Sequence, residues 1–380
     1  MNKLLRTASV TLLTIGLLGC ASTEKDSLRF FDEAGPRENE IRLVVLYPSA
    51  YPLDSLINLR DIGFFTPKNL TVIGVFHENE RTEYRKAIEM VRKNELDWIR
   101  FHRVSGDIHR KNLFEKNPLT PEFEKIFRNS DGVLFFGGAD IPPTLYGERT
   151  ELLTSIRTPY RHFLELSLAF HLLGGNQDPG FTPLLDEDPD FPVLGICLGE
   201  QTLNVGTGGD MIQDVWSEVY GARFVEEVIA LPRDYWHTNP HARLYPEMDL
   251  FSYFLHPVKL AADGFFVREL GFEPEDTPRI LSAHHQAADT LGRGFRAVAT
   301  SLDGKVVEAI HHQVFPNVLG TQFHPEFPIL YDSGKTFKIT PDDPSPVSAR
   351  SILESHPPSM DFHRAIWRWF EEKLEGRRSR

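Results

Sequence analysis

The chain has 380 residues, 41% hydrophobic and 25% charged, which is the usage of an ordinary folded domain with a sizeable core. Its 54 acidic side chains against 41 basic ones give a net charge of -13, which argues against nucleic acid as a partner and against adsorption to anionic lipid head groups. Two cysteines are too few for a disulfide framework, and no internal repeat or low-complexity tract is present.

At the N-terminus, Lys3 and Arg6 precede an apolar run from Val10 to Leu18, too short to cross a bilayer as a permanent helix. Leu17-Leu18-Gly19-Cys20 carries the small residue before cysteine that lipoprotein signal peptidase requires. Residues 1–19 are therefore expected to be a removed signal peptide and Cys20 a diacylated anchor. A plain secretory signal with an incidental cysteine is the competing reading. Ala21 stands where an inner-membrane retention signal would usually place Asp, so in a Gram-negative cell the sorting rules imply an outer-membrane lipoprotein facing the periplasm. Association with the membrane is expected through this lipid. Residues 20–40, polar around Phe30-Phe31, read as a tether, and 41–375 as one domain. With Cys20 lipidated, Cys197 is the sole free thiol, and an unpaired thiol in an oxidising compartment points to a use for it.

Ile41 to Tyr47 and Leu70 to Phe76 are beta-branched apolar runs that predict buried strands, with Trp98 to Val104 a third. Between them Tyr84, Ala87, Ile88 and Val91 recur at helical spacing. Thr120-Pro121 opens a helix to about Arg128, and Gly132 to Phe136 is a strand feeding Gly137-Gly138. Leu164 to Leu173 reads as a helix and Phe191 to Leu194 as a buried strand. His311 and His312 follow an apolar strand and are expected at the surface. Phe362, Ile366, Trp369 and Phe370 form the apolar stripe of a C-terminal helix packed on a sheet. This alternation predicts an α/β fold, a mostly parallel sheet with helices on both faces, in which ligands bind beyond the carboxyl ends of the strands.

The most informative segment is Gly195-Ile196-Cys197-Leu198-Gly199. A buried strand that reverses tightly into a helix needs small residues on both sides of the turn, and such an elbow exposes the reacting atom near a helix N-terminus that favours a thiolate. Taken alone, a buried structural cysteine explains the string equally well. Downstream, Val318-Leu319-Gly320-Thr321-Gln322-Phe323-His324-Pro325-Glu326 reads as a short apolar strand delivering a base and, one proline further on, a carboxylate to orient it.

Four stretches then carry a resemblance. They are Gly137-Gly138-Ala139-Asp140-Ile141-Pro142-Pro143 with Tyr146-Gly147, Gly195 through Gln201 to Gln213-Asp214, Ala283-His284-His285-Gln286-Ala287, and His324-Pro325-Glu326. From about Asp131 to Phe327 the chain resembles the class I glutamine amidotransferase-like hydrolases, and within them the gamma-glutamyl-gamma-aminobutyrate hydrolase family. The resemblance implies a flavodoxin-like three-layer architecture. It also implies a Cys197, His324, Glu326 triad and an oxyanion hole formed at Gly138 and the amide of Leu198. Gln201 would contact a glutamyl moiety, Asp140 would orient the loop or touch substrate, and His285 lies in a stretch bordering the site. Glu165 falls where the family tends to carry a glutamate, and a solvated helix face explains it as well. Leu198 replaces the family's more usual Arg. Segments near 171–192, 215–280 and 328–359 look like insertions, and long connections of this kind are commonly lids or partner-binding loops. Asp186, Glu187, Asp188 and Asp190 in the first of them would favour a cationic leaving group if they lay over the pocket.

The adjacent His284 and His285 raise the question of a metal, but no further ligand cluster is apparent in the sequence, so neither a metal nor an organic cofactor is expected. The implied activity is hydrolysis of gamma-glutamyl amide bonds on a small substrate through a glutamyl thioester. The glutaminase half of an amidotransferase and a non-catalytic envelope binding lipoprotein are the alternatives, the former disfavoured by the lipoprotein signal and by the absence of a P-loop. Oligomeric state is not legible.

Overall fold

A computed structural model describes residues 28–33, 39–80, 82 and 84–377; Cys20 and the expected signal peptide lie outside the described residues. In chain order the strands are β1 Ile41–Leu46, β2 Leu70–His77, β3 Ile99–Val104, β4 Gly132–Phe135, β5 Val193–Ile196, β6 Met211–Ile212, β7 Phe254–Leu260, β8 Arg279–Ser282, β9 Ala287–Ala288, β10 Phe295–Ser301, β11 Val307–His312 and β12 Val318–Thr321. The longer helices are α1 Ala50–Asp61, α2 Tyr84–Lys93, α3 Thr120–Arg128, α4 Pro159–Leu173, α5 Leu198–Gly206 and α6 Ser359–Gly376.

Ten strands form one sheet in the order β3-β2-β1-β4-β5-β12-β11-β10-β7-β8. The run from β3 to β12 is parallel, and β11, β10, β7 and β8 continue it antiparallel. The inner parallel strands are largely apolar on both faces because both are covered, while the edge strand β3 is mixed, with Arg100 exposed. Along β1, Leu43 and Val45 join the core shared with α1 and α6 (Leu53, Leu56, Trp367, Phe370), while Val44 and Leu46 face the core shared with α3 and α4 (Phe123, Ile126, Leu164, Leu168). Strand order reverses between β1 and β4, and β4, β5 and β12 are neighbours in register, Phe135 opposite Gly195 and Ile196 opposite Thr321. Their carboxyl ends therefore open on one edge of the sheet beside the switch point, where ligands bind in such folds.

Four details differ from the sequence-based expectations. Leu28 to Glu33 is docked rather than a free tether: Phe31 is buried, the Arg103 amide donates to Leu28 O at 2.6 Å, and the Phe31 amide donates to His102 Nδ1 at 3.2 Å. Helix α4 begins at Pro159, earlier than the apolar periodicity showed, because its first turns bury the polar Arg161, His162 and Glu165. His311 and His312 belong to β11, and His312 is buried, stacked on Phe315 and accepting at Nδ1 from the amides of Val314 and Phe315. The acidic cluster 186–190 lies at the amino end of β5, opposite the end that bears Cys197, with Glu187 paired to Arg128 at 3.0 Å and Asp188 to Arg377. It does not cover the candidate site, and the charge-based argument for a cationic leaving group falls with it.

Candidate active site

Cys197 occupies the turn between β5 and α5 with φ 54° and ψ -107°, a conformation that costs a non-glycine residue on the order of 1–3 kcal/mol and persists only where the surroundings enforce it. The enforcement is steric. A Cβ on Gly199 would lie 2.2 Å from the carbonyl oxygen of Phe135 on β4, and one on Gly195 would lie 2.6 Å from the Gly199 backbone, so only glycine lets strand, turn and helix close together. The Cys197 amide donates to Thr321 O of β12 at 2.7 Å, which sets the elbow against the strand that delivers the histidine.

His324 follows β12 and is held there by its amide, which donates to Leu281 O at 2.9 Å. Its Nδ1 meets Glu326 Oε1 at 2.7 Å, leaving Nε2 as the ring nitrogen free to serve the Cys197 thiol, which is near enough to act on the charge of the ring. All three side chains are buried. Burial alone would discharge the imidazole, but the Glu326 carboxylate and the Cys197 sulfur outweigh it and push His324 up to about 10. The Pro325 carbonyl between His324 and Glu326 accepts hydrogen bonds from Trp367 Nε1 at 3.1 Å and from the Tyr331 hydroxyl, so α6 fixes the whole His-Pro-Glu turn. Phe327 packs on the imidazole with ring centroids 4.1 Å apart and is flanked by Tyr51 and Tyr253.

On the other side of the thiol, Gly137 and Gly138 leave the end of β4. A Cβ at Gly137 would sit 2.9 Å from His324 Cε1 and 3.4 Å from Cys197 Cβ, so this loop lies against both the imidazole and the base of the cysteine side chain. Leu198 is the first residue of α5, and its amide is among the first-turn N–H groups that lack an intrahelical partner. The loop is held by Arg161, whose buried guanidinium donates to Phe136 O at 2.6 Å and Gly137 O at 3.1 Å and pairs with Glu165 at 2.7 Å. Glu165 is thus a buried counter-ion rather than part of a solvated helix face. Sequence reasoning missed Arg161, although its i, i+4 spacing to Glu165 was the available signal.

Asp140, two residues beyond Gly138, meets His285 Nε2 at 3.2 Å, and Asp214 meets His285 Nδ1 at 3.3 Å. Burial disfavours the charge on His285, but the two carboxylates prevail and raise it to about 9, giving an imidazolium between two anions with a net negative charge. Asp214 also lines a cleft of about 440 Å³ built from the 215–280 segment, with Leu153, Trp216, Phe224, Val228, Arg223 and Arg243 in its walls. Gln201 is buried, its amide nitrogen donating to Gln322 Oε1 at 3.1 Å and to Gln286 O at 3.5 Å, so it links α5 to the strands beside it. One sequence expectation is corrected here. His284 does belong to a cluster of possible metal ligands, with His237, His256 and Glu308.

A strained cysteine near a carboxylate-oriented histidine can attack an acyl carbon, and neighbouring glycine amides can stabilise the oxyanion that forms. The peptidase C26 family model matches residues 72–326. The chain belongs to that family, and to the class I glutamine amidotransferase-like hydrolases. Among curated proteins it is 30% identical over 196 residues to YvdE of Lactococcus lactis, named for its likeness to glutamine amidotransferases; the match covers 52% of this chain and 66% of that protein. It is 30% identical over 241 residues to a Mycobacterium tuberculosis protein named as a glutamine amidotransferase, covering 63% and 64%. NtpR of Enterococcus hirae is 28% identical over 198 residues, covering 52% and 66%. The chain thus spans just under two thirds of the length of each of these relatives.

Proposed function

We propose that the protein is a cysteine hydrolase of gamma-glutamyl amides. The observation that carries this reading is the convergence of Cys197, His324-Glu326 and the Gly137-Gly138 loop at the carboxyl ends of β5, β12 and β4. Cys197 Sγ attacks the side-chain carbonyl carbon, and the amides at Gly138 and Leu198 receive the oxyanion. As the C–N bond breaks, His324 gives its proton to the departing amine and a thioester remains. Water, deprotonated by His324, then displaces the thiolate and releases glutamate, while Glu326 keeps the imidazole oriented.

The substrate class rests on the family and on the net negative group Asp140, His285 and Asp214, which suits the alpha-ammonium of a glutamyl residue. The cleft beside Asp214, with its aromatic and aliphatic walls and two arginines, suits an apolar or anionic leaving group. The test is release of glutamate from a panel of gamma-glutamyl amines, gamma-glutamyl peptides and glutamine, using wild type and Cys197→Ala. Turnover of glutamine alone would replace this reading with a glutaminase, and no turnover of any compound would favour a non-catalytic binding protein.

We also propose that the chain acts as an envelope lipoprotein anchored at Cys20, on the strength of the Leu17 to Cys20 segment. Mass spectrometry of the native N-terminus tests it, and an unmodified N-terminus in a soluble fraction would refute it.

A further inference from the structure

Behind the candidate active site, the antiparallel half of the sheet contains a second constellation that hydrolysis does not use. His237 comes from the 215–280 segment, His256 from β7, His284 from the turn after β8, and Glu308 from β11. All four are buried, and one donor atom from each lies within 4.8 Å of every other. The Glu308 carboxylate stands 3.1 Å from His237 Nδ1, 3.5 Å from His256 Nε2 and 3.5 Å from His284 Nε2. A tetrahedral ion with bonds of about 2.0–2.1 Å separates its ligands by about 3.3–3.5 Å, so the three carboxylate–imidazole spacings already match one small cation, and the remaining pairs, within 4.8 Å, need only draw in around it.

The hydrogen bonding points the same way. His256 Nδ1 lies 3.1 Å from Pro257 O and His284 Nδ1 lies 2.8 Å from Gln286 O. A ring nitrogen facing a carbonyl carries the proton, so each Nε2 presents a lone pair to the interior, which is how second-shell carbonyls orient metal-binding imidazoles. Those lone pairs then face a carboxylate, acceptor against acceptor. Accordingly His256 Nε2, His284 Nε2, both ring nitrogens of His237 and both Glu308 oxygens have no hydrogen-bond partner among the described residues. So many unsatisfied buried polar atoms on facing side chains are costly, and one shared cation satisfies them together. Protonating the rings instead would crowd like charges, since the His237 ring centre is 4.8 Å from that of His256 and 5.0 Å from that of His284.

We infer that His237, His256, His284 and Glu308 form a closed structural site for a divalent transition-metal ion, zinc by ligand type and geometry. The ion fastens the stretch bearing His237 to β7, to the turn after β8 and to β11. Because His284 precedes His285, the same ion fixes the backbone that aims His285 at Asp140 and Asp214.

The test needs no substrate. Full-length protein purified without a metal-affinity tag is analysed for metals and by X-ray absorption. Expected are about one zinc per chain, nitrogen and oxygen ligands at about 2.0–2.1 Å, and no sulfur. Chelation should lower the melting temperature by roughly 5–10 °C and one equivalent of zinc should restore it. Co2+ added to the chelated protein should give the intense visible absorption of a tetrahedral complex, and Glu308→Gln should bind zinc at least about tenfold more weakly. Protein holding less than about a tenth of an equivalent of any transition metal, whose melting temperature zinc does not move, would overturn the inference.

Discussion

Substituting alanine for Gly138 tests how the candidate oxyanion loop is held. The new Cβ would lie 1.9 Å from Arg161 Nη1 and 3.1 Å from Leu198 Cδ2. Arg161 has no cheap way to retreat: it is fully buried, ion-paired to Glu165 at 2.7 Å, bonded to two backbone carbonyls and stacked 3.7 Å from the Tyr47 ring centre. Breaking that pair would leave an uncompensated buried charge, at a cost of about 3–5 kcal/mol, so the loop should yield first. A loop displaced by about 1 Å misplaces a donor that acts on the transition state, and losing one such donor costs about 100- to 1000-fold in kcat, or roughly 2.7–4 kcal/mol. KM should change little because the donor acts on charge that develops only in the transition state. The assay is steady-state and single-turnover hydrolysis of a substrate confirmed for wild type, with thermal denaturation alongside. A Gly138→Ala protein whose kcat stays within about threefold of wild type would refute this account of the loop.

Cys197→Ala should abolish turnover on any confirmed substrate, His324→Ala should cost nearly as much, and Glu326→Ala should cost less because orientation is only part of the effect; wild-type rates for Cys197→Ala would unseat the nucleophile. Arg161→Met should destabilise the fold by about 3–5 kcal/mol in denaturant titration by stranding Glu165, and the double change Arg161→Met with Glu165→Leu should recover most of the loss; equal destabilisation of both proteins would count against the pair. His324 has its pKa raised from 6.5 to about 10, so the stability it contributes is complete below pH 6.5 and is lost as pH rises toward 10. The gap in denaturation midpoint between wild type and His324→Gln should therefore narrow over that window, and a constant gap would contradict the ion pair. Neutralising Asp186, Glu187, Asp188 and Asp190 together should leave the ratio of catalytic efficiencies on cationic and neutral substrates unchanged, given their place at the far end of β5, where Glu187 pairs with Arg128 and Asp188 with Arg377.

What the sequence made legible was local. The inner parallel strands β4 and β5 read as continuous apolar runs because both their faces are buried, whereas the edge strand β3 carries Arg100, His102 and Arg103; the elbow reads as two glycines because the steric demand falls on positions four residues apart. The start of α4 was hidden because Arg161, His162 and Glu165 bury polar groups where periodicity expects apolar ones. The tether was misread for a related reason. Phe31 is one aromatic in a polar stretch, and only the partner strand β3 shows that it is core. The acidic cluster was misplaced because composition gives charge without position; its distance from the site follows from strand direction, which only the sheet supplies.

The histidine and carboxylate cluster is the extreme case, and it explains why the two halves of the sheet differ in what they disclose. In the parallel half the groups placed for chemistry follow the ends of adjacent strands, so each sits in a short motif, and the motifs taken together are recognisable. The antiparallel half brings together residues scattered from 237 to 308, one per element, and no window of sequence contains two of the four ligands. Beyond the β11–β12 ladder, the halves are joined by the His324 amide donating to Leu281 O, by the Gln322 amide donating to Glu308 O, and by the chain running from His284 to His285. A site that depends on Asp140 and Asp214 gripping His285 therefore depends on whatever holds His284. The antiparallel half is then more than a support for the parallel one: it holds His285 against Asp140 on the loop that leaves β4, while the elbow sets the position of the thiol.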